Sequence, residues 1–150
     1  MSAAYWKIFF MAMVPVSELR AAIPIGVVQG LNPFLTAVAA VAGNMIPVPF
    51  VVLFIRQIFD WARRRSPWLE RRVTRFEEKL DRKAENVLKY ERLGLLLFVA
   101  VPLPGTGAWT GAAIAAILDL RLRSAALSIL GGLIIAACIM TSISFGIVQL

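Results

Sequence analysis

Val14-Pro15-Val16-Ser17-Glu18-Leu19-Arg20-Ala21-Ala22-Ile23-Pro24-Ile25-Gly26 and Val101-Pro102-Leu103-Pro104-Gly105-Thr106-Gly107-Ala108-Trp109-Thr110-Gly111 are two proline-marked interruptions, each set inside an apolar stretch. Both break the chain where a membrane helix should be continuous. In hydrocarbon, non-helical backbone persists only when buried in protein or lining a wet cavity. The first interruption also carries a carboxylate and a guanidinium. An ionisable side chain at membrane depth is by default a functional-site candidate.

The rest of the chain makes membrane depth the right frame. Of 150 residues, 59% are hydrophobic and 17% charged, and the mean hydropathy is +0.77. A typical globular domain has roughly 25% charged residues. The charges are also clustered: Arg56 to Arg92 holds 12 of the 16 Lys/Arg and 7 of the 9 Asp/Glu. Outside it only Lys7, Glu18, Arg20, Asp119, Arg121 and Arg123 are charged. This reads as an integral membrane protein. The net charge of +7 belongs to residues flanking apolar segments, where it sets topology or meets anionic lipid, so nucleic acid is not an expected partner. With no His and a lone Cys138, no metal site and no cofactor is expected. The N-terminal segment, with one Lys and then Glu18 and Arg20, does not read as a secretory signal.

Four apolar stretches, 8–30, 34–55, 93–118 and 124–150, each exceed the roughly 20 residues of a spanning helix. Four full spans is therefore one reading. An internal repeat favours another. Val14-Pro15 matches Val101-Pro102, Leu31-Asn32 matches Leu118-Asp119 at the same offset, and Gly43-Asn44 matches Gly131-Gly132 after a one-residue slip. The positive-inside rule places the basic 56–92 segment in the cytoplasm. It then also prefers the Asp119–Arg123 hinge inside, which requires 93–118 to enter and return. An arm of about 11 residues rises about 16 Å, roughly to the bilayer midplane. The expected fold class is an all-α integral membrane protein with two inverted repeats. Each repeat is a re-entrant helical hairpin plus one transmembrane helix, and an amphipathic cytoplasmic helix joins them. The division is repeat one over 5–56, linker over 57–92 and repeat two over 93–150, in one membrane domain. Inverted repeats are a hallmark of secondary transporters.

In the linker, Ser66-Pro67 reads as a helix start. Leu69, Val73, Phe76, Leu80, Ala84, Val87 and Leu88 form one apolar stripe. Glu78–Arg82 and Glu85–Lys89 are i,i+4 pairs, and Gly94 is placed at a closing hinge. The helix either lies on the leaflet, meeting anionic headgroups with Trp61 and Trp68 as anchors, or is a connector that packs on its own protein or on a second copy.

Glu18 and Arg20 lead the candidates for substrate or proton binding, with Ser17 beside them and Pro15 and Pro24 as hairpin breaks. One reading is a titrating Glu18 with an Arg20 that grips an anionic group; the other is a neutralised pair holding the hairpin tip. The second tip offers Gly105, Gly107, Thr106 and Thr110, with Pro102 and Pro104 as breaks and a half-helix N-terminus from Ala108 that favours anions. Asn44 either faces the central cavity or bonds across helices. Ser128, Thr141, Ser142 and Ser144 read as helix-satisfied hydroxyls. No nucleophile–base constellation is visible, so an enzyme is not expected.

The stretches Pro15–Gly26, Gly43–Phe50 and Val101–Ala112 closely resemble the prokaryotic small multidrug export protein family, itself similar to the larger DedA superfamily. The resemblance implies a small exporter in a prokaryotic inner membrane, or a translocase for a polyprenyl-phosphate-type lipid carrier as in DedA-like proteins. The second tip lacks the arginines of DedA-like proteins, which weakens the lipid-carrier reading; a non-transporting membrane scaffold is the third. One copy has few helices to enclose a path, so a homodimer is expected, with membrane lipids and a small-molecule or lipid-phosphate substrate as partners.

Overall fold

A computed structural model describes residues 2–88, 91–101 and 106–150. Every regular element among them is helical: α1 Ser2–Met13, α2 Glu18–Val28, α3 Pro33–Met45, α4 Pro47–Arg65, α5 Pro67–Leu88, α6 Glu91–Ala100, α7 Ala108–Ile117 and α8 Leu122–Gln149. At 1.5 Å per residue, the arms α1, α2, α6 and α7 are only about 15–18 Å long, whereas α8 reaches about 42 Å. Two helical segments are long and apolar enough to cross a membrane: Pro33–Arg65, made of α3 and α4, and Leu122–Gln149.

The two halves pack by one scheme. α1 lies on α3 as α6 lies on α8, and α2 rests on α8 as α7 rests on α4. The long helix of each half thus backs the other half's second arm. Glycine makes the first of these contacts close. A Cβ at Gly43 would collide with the backbone carbonyl of Phe9 in α1. A Cβ at Gly132 would lie 2.6 Å from the Leu96 carbonyl oxygen in α6 and 2.8 Å from Val99 Cβ.

The hinges after α2 and α7 are the same motif. Gly30 and Asp119 adopt positive φ (80° and 56°). Leu31 N–H donates to Gly26 O and Gly30 N–H to Val27 O. Likewise Leu120 N–H donates to Ala115 O and Asp119 N–H to Ala116 O. These paired 6→1 and 5→2 bonds close the helix carbonyls without solvent. Asp tolerates the left-handed conformation better than most side chains, so the second hinge dispenses with glycine. The motifs correct the sequence register: Leu31 corresponds to Leu120 rather than Leu118, and Gly43 to Gly132 rather than Gly131, an offset of 89 at both. The first arms keep 87, since Met13 and Ala100 end them. The tip of the second half is longer, and this hid the shift.

Other boundaries also differ from expectation. Pro24 does not break the first hairpin: α2 runs through it, and the break is confined to Val14–Ser17, around Pro15. Residues 57–65, grouped with the linker, continue α4. Ser66 accepts from Trp68 N–H (3.3 Å), as the helix start requires. Gly94 lies buried inside α6 rather than at a hinge. Helix α5 packs on its own protein: Val73, Leu80 and Ala84 are buried, and Phe76 meets Phe59 of α4 edge-on at 5.7 Å. Glu78 and Arg82 make no pair; Glu77 instead bonds Arg63 of α4. The Glu85–Lys89 pair, and the side chains of Val87 and Leu88, lie outside what is described.

Gly43→Ala and Gly132→Ala should each lower stability by about 1–3 kcal/mol by forcing the first arm off the long helix. Thermal unfolding in detergent checks this; Gly146→Ala, with open space around its missing Cβ, is the control and should be neutral.

Candidate functional site

The broken ends of the two hairpins meet. A helix leaves its last four carbonyls and first four amides without intrahelical partners, and in an apolar surround each needs another donor or acceptor. Side chains of the opposite hairpin supply them. Arg20, in the first turn of α2, donates through Nη2 to Val99 O (3.3 Å), in the last turn of α6, and to Val101 O (3.0 Å) just beyond it. The same Nη2 donates to Thr106 Oγ1 (3.1 Å), whose hydroxyl donates to Val101 O (2.7 Å). A cation at a helix C-terminus is also favoured by the helix dipole. In return, Trp109 in the first turn of α7 donates through Nε1 to Met13 O (2.9 Å), the last residue of α1. Trp109 stands 89 residues after Arg20, the register set by the hinges. Each second arm therefore caps the other hairpin's first arm from the corresponding position.

Glu18 closes the arrangement. Its Oε2 accepts from Arg20 Nη1 at 2.7 Å, and the residue is 7% exposed. The carboxylate sits against Gly107 at the N-terminus of α7; an anion there meets the positive end of the helix. Gly107, the N-cap of α7, is glycine because a Cβ would fall on that carboxylate. Glu18 also holds a positive φ of 46°, which costs a non-glycine residue about 1–2 kcal/mol. Such strain persists where surrounding structure over-determines it and gathers at functional sites.

The expected site residues divide accordingly. Glu18, Arg20, Thr106 and Gly107 are brought together. Ser17 stands at the N-cap of α2 but makes no capping bond. Thr110 lies half-buried one residue past Trp109. Pro102, Pro104 and Gly105 lie outside the described residues. Asn44 is fully buried, but its amide has no hydrogen-bond partner, so the cross-helix bond is not made. Ser142 and Ser144 bond to carbonyls one turn back (Cys138 and Met140), while buried Thr141 does not. Trp109 was missed. In the sequence register of 87 it faces Ala22; only the register of 89 sets it opposite Arg20. Beside the junction, Met13 and Trp109 join Ile46, Pro47, Phe50 and Phe54 around an apolar groove of about 740 Å³. No metal-binding cluster occurs among the described residues.

Residues 18–139, from the junction carboxylate into the middle of α8, match the family profile described as "Putative small multi-drug export protein". The chain belongs to the small multi-drug export protein family. No curated protein and no solved structure matches it. Membership agrees with the resemblance carried by the proline-marked stretches, and makes this a helical membrane protein of an export family rather than of an enzyme family.

The junction predicts coupled stabilities. Trp109→Phe keeps the ring but strands the Met13 carbonyl, and should cost about 1–3 kcal/mol. Gly107→Ala should cost a similar amount in the parent but little in a Glu18→Ala background, where the colliding carboxylate is gone. A double-mutant cycle of thermal unfolding in detergent measures both.

Proposed function

We propose that the chain is a small secondary membrane exporter whose two hairpins are re-entrant and inverted, with the Glu18–Arg20 junction as its coupling centre near the bilayer midplane. The observation that carries the reading is the reciprocal capping of broken helix ends by Arg20 and Trp109, with Glu18 held between Arg20 and the start of α7. It is a polar node within an apolar chain, and it must rearrange whenever the hairpins part.

Three features support the topology. Each arm is too short for a hydrocarbon core of about 30 Å. Hinge one folds back beside the start of α1, where Asn32 N–H donates to Tyr5 Oη (3.3 Å). Hinge two sits at the far end of the α3–α4 segment, where Arg56 donates to Ile117 O (2.7 Å) and pairs with Asp119 (3.1 Å). Arg56 begins the basic segment, so this is the cytoplasmic end by the positive-inside rule. The two hinges then lie on opposite faces, as inverted repeats require.

Substrate moves past the junction as one hairpin rocks against the other. The adjoining groove is apolar and aromatic, which suits lipophilic compounds. Both terminal nitrogens of Arg20 are committed to Glu18, two carbonyls and Thr106, and the remaining Nε is buried without a partner, which favours the exporter reading over one in which Arg20 grips a phosphate headgroup. Glu18 is the sole carboxylate in the junction among the described residues and is assigned the proton.

Two experiments test this. In proteoliposomes, pH-gradient-driven efflux of ethidium should fall to the protein-free level in Glu18→Gln, with insertion and monodispersity unchanged; parent-like efflux would refute the coupling role. In a Cys138→Ser background, single cysteines at Asn32 and Arg121 should label from opposite sides, Arg121 from the cytoplasm. Labelling of both from outside would restore four full spans.

A further inference from the structure

Helix α5 carries charge in a pattern that a merely solvated connector has no reason to keep. At about 100° per residue, its side chains fall into three arcs. Leu69, Val73, Phe76, Leu80 and Ala84 span one of about 80°, and its core is buried against the protein. Glu70, Glu77, Glu78 and Asp81 fill a second. Arg71, Arg72, Arg75, Lys79 and Arg82 fill a third of about 100°, centred on Trp68 and containing no acid. Mixed signs would serve solubility equally well.

The acidic arc is partly used within the fold. Glu77 bonds Arg63, and Asp81 borders a polar cleft with Arg56, Asp60 and Arg63 of α4. The five cations of the third arc are exposed and make no ion pair among the described residues. Of the acids only Glu77 is paired within the fold among the described residues, and the basic flank of α5 presents these five cations side by side. Two tryptophans locate that flank. Phe50, Phe54, Ile58 and Trp61 form one exposed face of α4, and the Arg65 guanidinium lies over the Trp61 ring at 5.5 Å. An exposed apolar stripe ending in a Trp topped by Arg is the pattern of a headgroup boundary. Three residues after Arg65, Trp68 is 60% exposed and has Arg72 over its ring at 4.8 Å.

We propose that this Trp68-centred basic flank of α5 docks on anionic phospholipid headgroups at the cytoplasmic membrane boundary. The core of the apolar stripe, Val73, Leu80 and Ala84, is buried in the fold, where α5 packs on α4, α6 and α7, so contact is chiefly by charge and indole. That makes it dependent on lipid charge and on salt, because exposed charges are screened beyond about 8–10 Å at physiological ionic strength.

Nitroxide labels on the full-length Cys138→Ser protein test the idea, one at Arg75→Cys in the basic arc and one at Glu78→Cys in the acidic arc. The protein is reconstituted in zwitterionic bilayers with or without phosphatidylglycerol, and label collision with an aqueous nickel chelate is compared. Collision at position 75 should drop about twofold or more with phosphatidylglycerol, while position 78 stays water-accessible. The drop should vanish in high salt and in Arg72→Glu/Lys79→Glu. Equal accessibility at both positions in both bilayers overturns the proposal. So does protection of position 75 that ignores lipid charge, or that appears only when RNA or soluble protein is added. The salt arm needs no additional substitution, so a poorly folding charge reversal does not decide the test.

Discussion

A helix that stops among apolar side chains exposes peptide groups that need other partners, and this chain brings four helix ends together in one place. The packing answers that constraint by exchange. The guanidinium of Arg20 takes up two carbonyls from the far hairpin and the indole of Trp109 one, while the carboxylate of Glu18 lies against the N-terminus of α7. The long helices then lean on the opposite half's second arm, so the core holds together only when both hairpins are present. The glycines at 43, 107 and 132 follow from the same geometry, since each marks a place where a backbone or a carboxylate needs the room.

This changes the meaning of the buried charge. A buried ion pair usually adds little net stability, because desolvation offsets the attraction. Here the two charges also complete hydrogen bonding that the backbone would otherwise lack. Glu18 and Arg20 thus hold the tips together, and under the exporter proposal they are the groups that passage between the tips would disturb.

Much of this was legible beforehand, because prolines, glycines and charges are scarce enough in an apolar chain to be read singly. The arm lengths, the Ser66 start of α5 and the pairing of Glu18 with Arg20 followed from local rules. What failed was long-range or hidden in register. Pro24 reads as a break in sequence, yet α2 runs through it. Glu78 was given a partner on its own helix, although α4 offered Arg63 to its neighbour Glu77. Trp109 escaped notice because two extra residues in the second tip shift the repeat, and the tryptophan's role is a property of the match rather than of the residue. Asn44 looked like a polar contributor in sequence, and burial without a partner is not something sequence can express.

Reciprocal capping has an implication for ancestry. Neither hairpin is complete alone, because a donor for the severed carbonyls of each, Arg20 or Trp109, stands on the other. A half-length forebear would have been viable only by pairing with a second copy, and gene fusion would have made that partnership permanent. Fusion also frees the two copies from having to be identical. One half now holds its neighbour with a charged guanidinium and the other with a neutral indole, a divergence that a symmetric pair of like subunits is not permitted.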